Sequence, residues 1–271
     1  MEWRNIYRGL AMGASDVVPG VSGGTIAVLL GIYDQLIASL NGLFSREWKR
    51  HLSFLIPLGL GVSISIFTLA KLMDWLLLHY PGPTYYLFLG LIVGVLPYLF
   101  REIDAKTNFR KRHYGILLVS LLLIGSLDFL QEVETIITDR SWQIYLLFFL
   151  SGFLGSAAMI LPGISGSFIL LVIGVYHTVL HAISNFHFDI IIITGLGIAS
   201  GLIVMSKIIH YFLSRFQVGT FAVIIGMVIG SLFVIFPGAP EGMKGLLLSV
   251  VTFATGLFFA YILGKVEYDE G

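Results

Sequence analysis

The 271-residue chain contains no cysteine, so a disulfide framework, a thiolate metal site and a cysteine nucleophile are all excluded. Charge is nearly as scarce. Asp, Glu, Lys and Arg make up 12% of the residues, about half the roughly 25% of an ordinary soluble domain. Neither sign is in excess, with 16 basic and 16 acidic residues. That balance excludes a generally basic nucleic-acid binder and a generally acidic tail. Enzyme signatures are missing too: no Gly-rich phosphate loop ending in Lys-Ser/Thr, no HExxH and no G-x-S-x-G elbow. The histidines do not group at metal-ligand spacing, since His177 and His181 are i,i+4 but lack a third ligand. No catalytic residue, metal site or nucleic-acid partner is expected.

What is present is apolar. Hydrophobic residues make up 57% of the chain and the mean hydropathy is +0.92, which places the protein in a membrane. Stretches at 52–78, 84–100, 114–130, 190–213, 219–237 and 245–264 match the roughly 17–25 residues that a bilayer core of about 30 Å demands. Two further regions, 9–43 and 144–184, are apolar but interrupted, at VPGVSGGT (18–25) and LPGISGSF (161–168). The alternating ten-residue strands of an outer-membrane barrel are missing. Glu2 and Asp16 sit in an N-terminus with no apolar h-region ahead of a small-residue cleavage site, so no cleavable signal is expected.

The two interrupted regions align on each other without a gap. Gly9, Ala14, Pro19, Gly20, Ser22, Gly23, Ile26, Gly31 and Tyr33 find identical partners in Gly152, Ala157, Pro162, Gly163, Ser165, Gly166, Ile169, Gly174 and Tyr176. After a small shift, Gly59, Gly61, Lys71, Gly90 and Gly94 match Gly195, Gly197, Lys207, Gly226 and Gly230. The chain is thus a duplication. The first repeat is 1–130, with hairpin 9–43 and spans 52–78, 84–100 and 114–130. A linker follows at 131–143. The second repeat is 144–264, with hairpin 144–184 and spans 190–213, 219–237 and 245–264, ahead of a tail at 265–271.

Charge orients this plan. The loops at 44–51 (Arg46, Lys49, Arg50) and 101–113 (Arg101, Lys106, Arg110, Lys111, Arg112) are expected in the cytoplasm by the positive-inside rule. The latter could also touch anionic lipid. The linker, with Glu132, Glu134 and Asp139 against Arg140, is expected outside, although Lys244 falls in a loop placed outside by the same scheme. A hairpin plus three crossings is odd, so the second repeat enters from the opposite face. The expected fold is an all-α polytopic membrane protein of two inverted-topology repeats, each a Pro-Gly-broken hairpin, re-entrant or spanning, plus three transmembrane helices. Both termini would be cytoplasmic. Many secondary transporters follow this plan.

The breaks carry the chemistry. Broken backbone at membrane depth is tolerated only inside protein or beside a wet cavity. After each break Ser22 or Ser165 is placed to cap a half-helix, whose first amides at Gly23, Gly24 and Thr25, or Gly166 and Ser167, would be open to an anion. Pro19, Gly20, Pro162 and Gly163 shape those turns. The alternative is a pair of tight helix turns with glycine packing. Lys71 and Lys207 would add charge for a phosphate, or else snorkel to an interface. Asp16, Asp34 and Asp74, with His177 and His210, could relay protons. Lys71–Asp74 could equally be a neutralising i,i+3 pair. Tyr33 and Tyr176 could cap a cavity or sit in an aromatic belt.

GASDVVPGVSGGTIAVLLGIYD (13–34), echoed by GSAAMILPGISGSFILLVIGVY (155–176), resembles a bacterial family first catalogued as a membrane domain of unknown function and now associated with polyprenyl-phosphate transport. Met159 replaces Asp16 in the second copy, so the two copies are not chemically equal. The resemblance implies a transporter in the bacterial cytoplasmic membrane that flips undecaprenyl phosphate for reuse as the cell-wall lipid carrier. Its partner would be that lipid, its coupling ion a proton or sodium, and it would hold no cofactor. A small-anion channel or exchanger and a membrane-embedded lipid phosphatase are the alternatives.

Overall fold

The computed structural model describes residues 3–16, 22–129, 137, 139–240 and 242–268. Among them the chain is helical, with no strand. The helices are α1 (Asn5–Asp16), α2 (Gly23–Leu29), α3 (Tyr33–Asn41), α4 (Trp48–His79), α5 (Pro81–Glu102), α6 (Ala105–Asn108), α7 (Lys111–Gly125), α8 (Trp142–Ile160), α9 (Gly166–Ile173), α10 (Tyr176–Ser184), α11 (Phe188–Arg215), α12 (Gln217–Val234) and α13 (Gly242–Tyr268).

Six helices are long and apolar enough to cross a bilayer: α4, α5, α8, α11, α12 and α13. Five of them fall on expected spans. The sixth is α8, read from sequence as an arm of the second hairpin. The span expected at 114–130 is instead the 15-residue α7, shorter than the usual 20 or so. Its last turn tightens because the Ser126 hydroxyl donates to the Leu123 carbonyl at 2.7 Å, and a 3-10 turn over Ser126–Phe129 follows.

Each Pro-Gly region contains three helices rather than the two arms of a hairpin. Beyond the break, α2 and α3 meet at 120° and α9 and α10 at 109°. The hinges are Gly31 (φ 63°) and Gly174 (φ 84°), at matching places in the two copies. Both angles lie in the left-handed region that glycine enters freely and other residues enter at a cost of about 1–2 kcal/mol. In sequence the apolar run continues through both glycines, which hides the turn.

Small residues set how the long helices pair, because lipid tails supply no hydrophobic drive between them and close backbone contact must. A Cβ on Gly9 or Gly61 would overlap the backbone of the facing helix in the α1–α4 seam; Gly152 and Gly197 do the same for α8–α11. Gly90 and Gly256 close the α5–α13 seam, and Gly226 seats against Leu117 and Ser120 in the α12–α7 seam. Thus α7, near the end of the first half, packs on α12, and α13, at the end of the second, packs on α5.

The interior is built around α2. All seven of its residues are buried, enclosed by α1, α3, α5 and α8. Its counterpart α9 has no buried residue.

Candidate functional site

α1 ends at Asp16, and Pro19 and Gly20 fall with the rest of 17–21 outside the described residues. Beyond them Ser22, in extended backbone, caps α2 by accepting the Gly24 amide on Oγ at 3.2 Å. The Gly23 amide donates to Asp16 Oδ1 at 2.6 Å. Thr25 N–H turns back to the Ser22 carbonyl at 2.9 Å. The open amides expected at this helix start are therefore already engaged, Gly23 by a carboxylate and Gly24 by a hydroxyl. A fixed anion at the positive end of a helix answers the same electrostatics as a bound one. Asp16 Oδ2 is buried with no partner among the described residues.

The second break is built otherwise. Met159 stands where Asp16 does in the first. Gly163 turns with φ 89°. Ser165 Oγ makes no cap to α9 and instead pairs with Ser167 Oγ at 2.8 Å. The start of α9, at Gly166 and Ser167, thus keeps its first amides free of a side-chain cap and has two hydroxyls beside them.

The breaks touch. The Gly163 amide donates to Thr25 Oγ1 at 2.9 Å, Ser22 Oγ reaches the Met159 carbonyl at 3.5 Å, and Gly24 lies against the Met159 and Ile160 carbonyls. Ser22 and Thr25 are 2% and 1% exposed, and Pro162 is buried, so this crossing is interior.

Beside the crossing lies a cavity of about 970 Å³. Tyr33, Leu161 and Met227 line its inner end, and the Met227 carbonyl rests against Gly163. The Tyr33 hydroxyl is buried with no partner among the described residues. Toward the mouth stand Arg110, Arg112 and Arg215, from the start of α7 and the end of α11. None of the three is ion-paired among the described residues. Buried His113 fixes the first turn of α7 by accepting the Arg110 amide on Nδ1 at 3.1 Å. Guanidiniums free of carboxylate partners among the described residues, with Arg112 Nε donating to His113 Nε2 at 3.1 Å, at the rim of an apolar chamber suit a ligand with an anionic head and a greasy body, since arginine binds phosphate oxygens two at a time.

Other expected site residues lie apart. Lys207 is exposed on α11 and does not line the cavity. The side chains of Lys71 and Asp74 are outside the described residues. Asp34 is exposed in the first turn of α3, within electrostatic range of His210 on α11 and of Glu102. Tyr176 and His177 stack edge-on at 5.5 Å at the start of α10, away from the cavity lining. No group of three or more His, Asp or Glu among the described residues could hold a metal. The arginines are what sequence reasoning passed over: Arg110 and Arg112 were absorbed into a positive-inside loop and Arg215 was not singled out. The signal lay in the topology expected from the sequence, which would put the 101–113 loop and the α11–α12 junction on one face.

A family model described as undecaprenyl phosphate translocase-like matches residues 12–246. The polyprenyl-phosphate transporter of Staphylococcus aureus is 43% identical over 278 residues, covering 99% of this chain and 98% of that protein. The polyprenyl-phosphate transporter of Vibrio cholerae is 40% identical over 251 residues, covering 88% and 79% respectively. No solved structure matches the chain. These names describe transporters rather than enzymes. With 235 of its residues, 12 to 246, inside one model and near end-to-end identity to a relative, the chain belongs to the undecaprenyl phosphate translocase-like family.

Proposed function

We propose that this protein carries undecaprenyl phosphate, or a related polyprenyl phosphate, across the bacterial cytoplasmic membrane, returning the lipid from the outer to the cytoplasmic leaflet. The observation that carries the proposal is the cavity, with three arginines that make no ion pair among the described residues, apolar walls, and Leu161 of the second break in its lining. The phosphate is held at the mouth by Arg110, Arg112 and Arg215. Beyond the cavity lining, the uncapped start of α9 with Ser165, Gly166 and Ser167 would receive it farther along the path. Ser22, Gly23, Gly24 and Thr25 would act from the buried crossing beside the cavity, and Pro19, Gly20, Pro162 and Gly163 would set the turns. Lys71 and Lys207 supply charge farther along the path.

Two inverted repeats frame this route. Support comes from the pairing of helices, in which α1–α4 answers α8–α11 and α5–α13 answers α12–α7, with equivalent glycines in the seams. Arginines from the 101–113 loop and from the α11–α12 junction share one mouth, as that topology requires. On the same scheme the mouth and both termini face the cytoplasm, where the basic loops meet anionic lipid. Proton or sodium coupling would run through Asp16, Asp34 and Asp74, with His177, His210, Tyr33 and Tyr176 around them.

The test is transport of undecaprenyl phosphate between leaflets of proteoliposomes. Each charge-assisted bond to phosphate is worth about 1.5–3 kcal/mol. Replacing all three arginines by glutamine is therefore expected to slow transport at least about a hundredfold. Transport at the wild-type rate in that variant, or chloride conductance that the lipid phosphate does not inhibit, would overturn the proposal.

A further inference from the structure

A second hollow, of about 510 Å³, runs down the outside of the α7–α12 seam. It shares Arg112, Ile116, Val223 and Met227 with the arginine-rimmed cavity, so the two adjoin along the α7–α12 seam. The remainder of its lining, Gly115, Val119, Ser120 and Leu123, lies on α7. Gly115, Val119 and Leu123 follow one another at i, i+4 and i+8, which aligns them along one face of the helix. Val119 and Leu123 are 65% and 59% exposed. A Cβ on Gly115 would meet nothing within 4 Å, so the missing side chain leaves space and is not required by helix packing.

We propose that this groove holds the isoprenoid tail of the lipid whose phosphate sits among Arg110, Arg112 and Arg215, and that it is the lateral opening through which the tail stays in the bilayer while the head is inside the protein. The inference rests on the transport reading above.

Three observations select the tail as occupant. The groove ends on Arg112, so its only cationic residue stands where a phosphate would leave a chain beginning. Its length fits as well. Arg112 to Leu123 is eleven residues, or roughly 16 Å of helix at about 1.5 Å per residue. That is about half of a hydrocarbon core some 30 Å thick, the depth of one leaflet below a head at the interface. Finally, the groove opens sideways to lipid. A free inorganic anion would need only the cavity, and would have no use for a hollow walled by valine, leucine and isoleucine.

The experiment separates tail from head. Gly115→Phe and Val119→Trp each fill the groove from the exposed side of α7, and Val250→Trp places equal bulk on exposed α13 outside it. Transport of undecaprenyl phosphate is measured in proteoliposomes, and binding of geranyl phosphate, which has the same head and a short tail, is measured in detergent. The two groove variants are expected to slow undecaprenyl phosphate transport by about tenfold or more while binding geranyl phosphate as wild type does; Val250→Trp changes neither. A photoreactive undecaprenyl phosphate should label α7 between Gly115 and Leu123. Wild-type transport in both groove variants overturns the proposal. So does equal loss of geranyl phosphate binding, labelling confined to other helices, or cross-linking of two copies through Val119. Failure of the transport reading shows separately, as geranyl phosphate binding that survives loss of all three arginines.

Discussion

Thr25→Val tests the contact that joins the two breaks. Valine has threonine's shape, so the change leaves no cavity; what it removes is the Oγ1 that accepts the Gly163 amide, at 2.9 Å and in a site where Thr25 is 1% exposed. An unsatisfied buried amide costs about 1–3 kcal/mol in soluble proteins. Interhelical hydrogen bonds in a membrane protein average nearer 0.6, with a maximum of about 1.7, because the unfolded chain in lipid also finds partners. The overlap of those ranges gives an expected loss of about 1–1.7 kcal/mol, roughly a 5- to 20-fold shift in the unfolding equilibrium. The assay is reversible unfolding in mixed micelles titrated with dodecyl sulfate, read by tryptophan fluorescence. Thr25→Ser keeps the acceptor and should recover most of the loss. Stability of the valine variant within about 0.3 kcal/mol of wild type, or serine as harmful as valine, would refute the reasoning.

Further outcomes follow from the same geometry. Asp16→Ala strands the Gly23 amide and is expected to cost about 1.5–3 kcal/mol by the same titration, whereas Asp16→Asn, still an acceptor, recovers most of it. Gly59 and Gly61 sit two residues apart on α4 but face different surroundings: a Cβ at Gly59 meets open space and one at Gly61 meets the Ile6 carbonyl. Gly59→Ala should raise stability by up to about 1 kcal/mol, and Gly61→Ala should lower it by about 1–3, a difference in sign that thermal melts would read directly. Gly174→Ala, forced into the left-handed region, should lose about 1–2 kcal/mol and raise the proteolysis of the α9–α10 turn.

Hydropathy was enough to locate five of the six long spans, since about 20 apolar residues in a row have few other fates. It failed at α7, where a serine after Gly125 ends the helix early, and at Gly31 and Gly174, where an apolar run conceals a turn. The duplicated Pro-Gly pattern led to the crossing of the breaks, because broken backbone at that depth must be enclosed. The partners of the helix starts were not legible. Whether an amide is open depends on what reaches it through space, and Asp16 reaches Gly23 from the other side of the break. The arginines were hidden for a similar reason: Arg112 and Arg215 are far apart in the chain, and only the shared cavity mouth makes them one site.

The unequal burial of α2 and α9 has a consequence for time as well as space. Amides open to exchange with a free energy set by how much packing must come apart. α2 is enclosed on every residue, so its amides should exchange only when much of the protein opens. α9 has no buried residue and should exchange through small, frequent openings. Hydrogen–deuterium exchange would then find the two matching Pro-Gly segments exchanging at different rates, α2 slowly and the half-buried α9 faster. Matching stretches of sequence then set two different rates of opening, one slow and one fast, within one molecule.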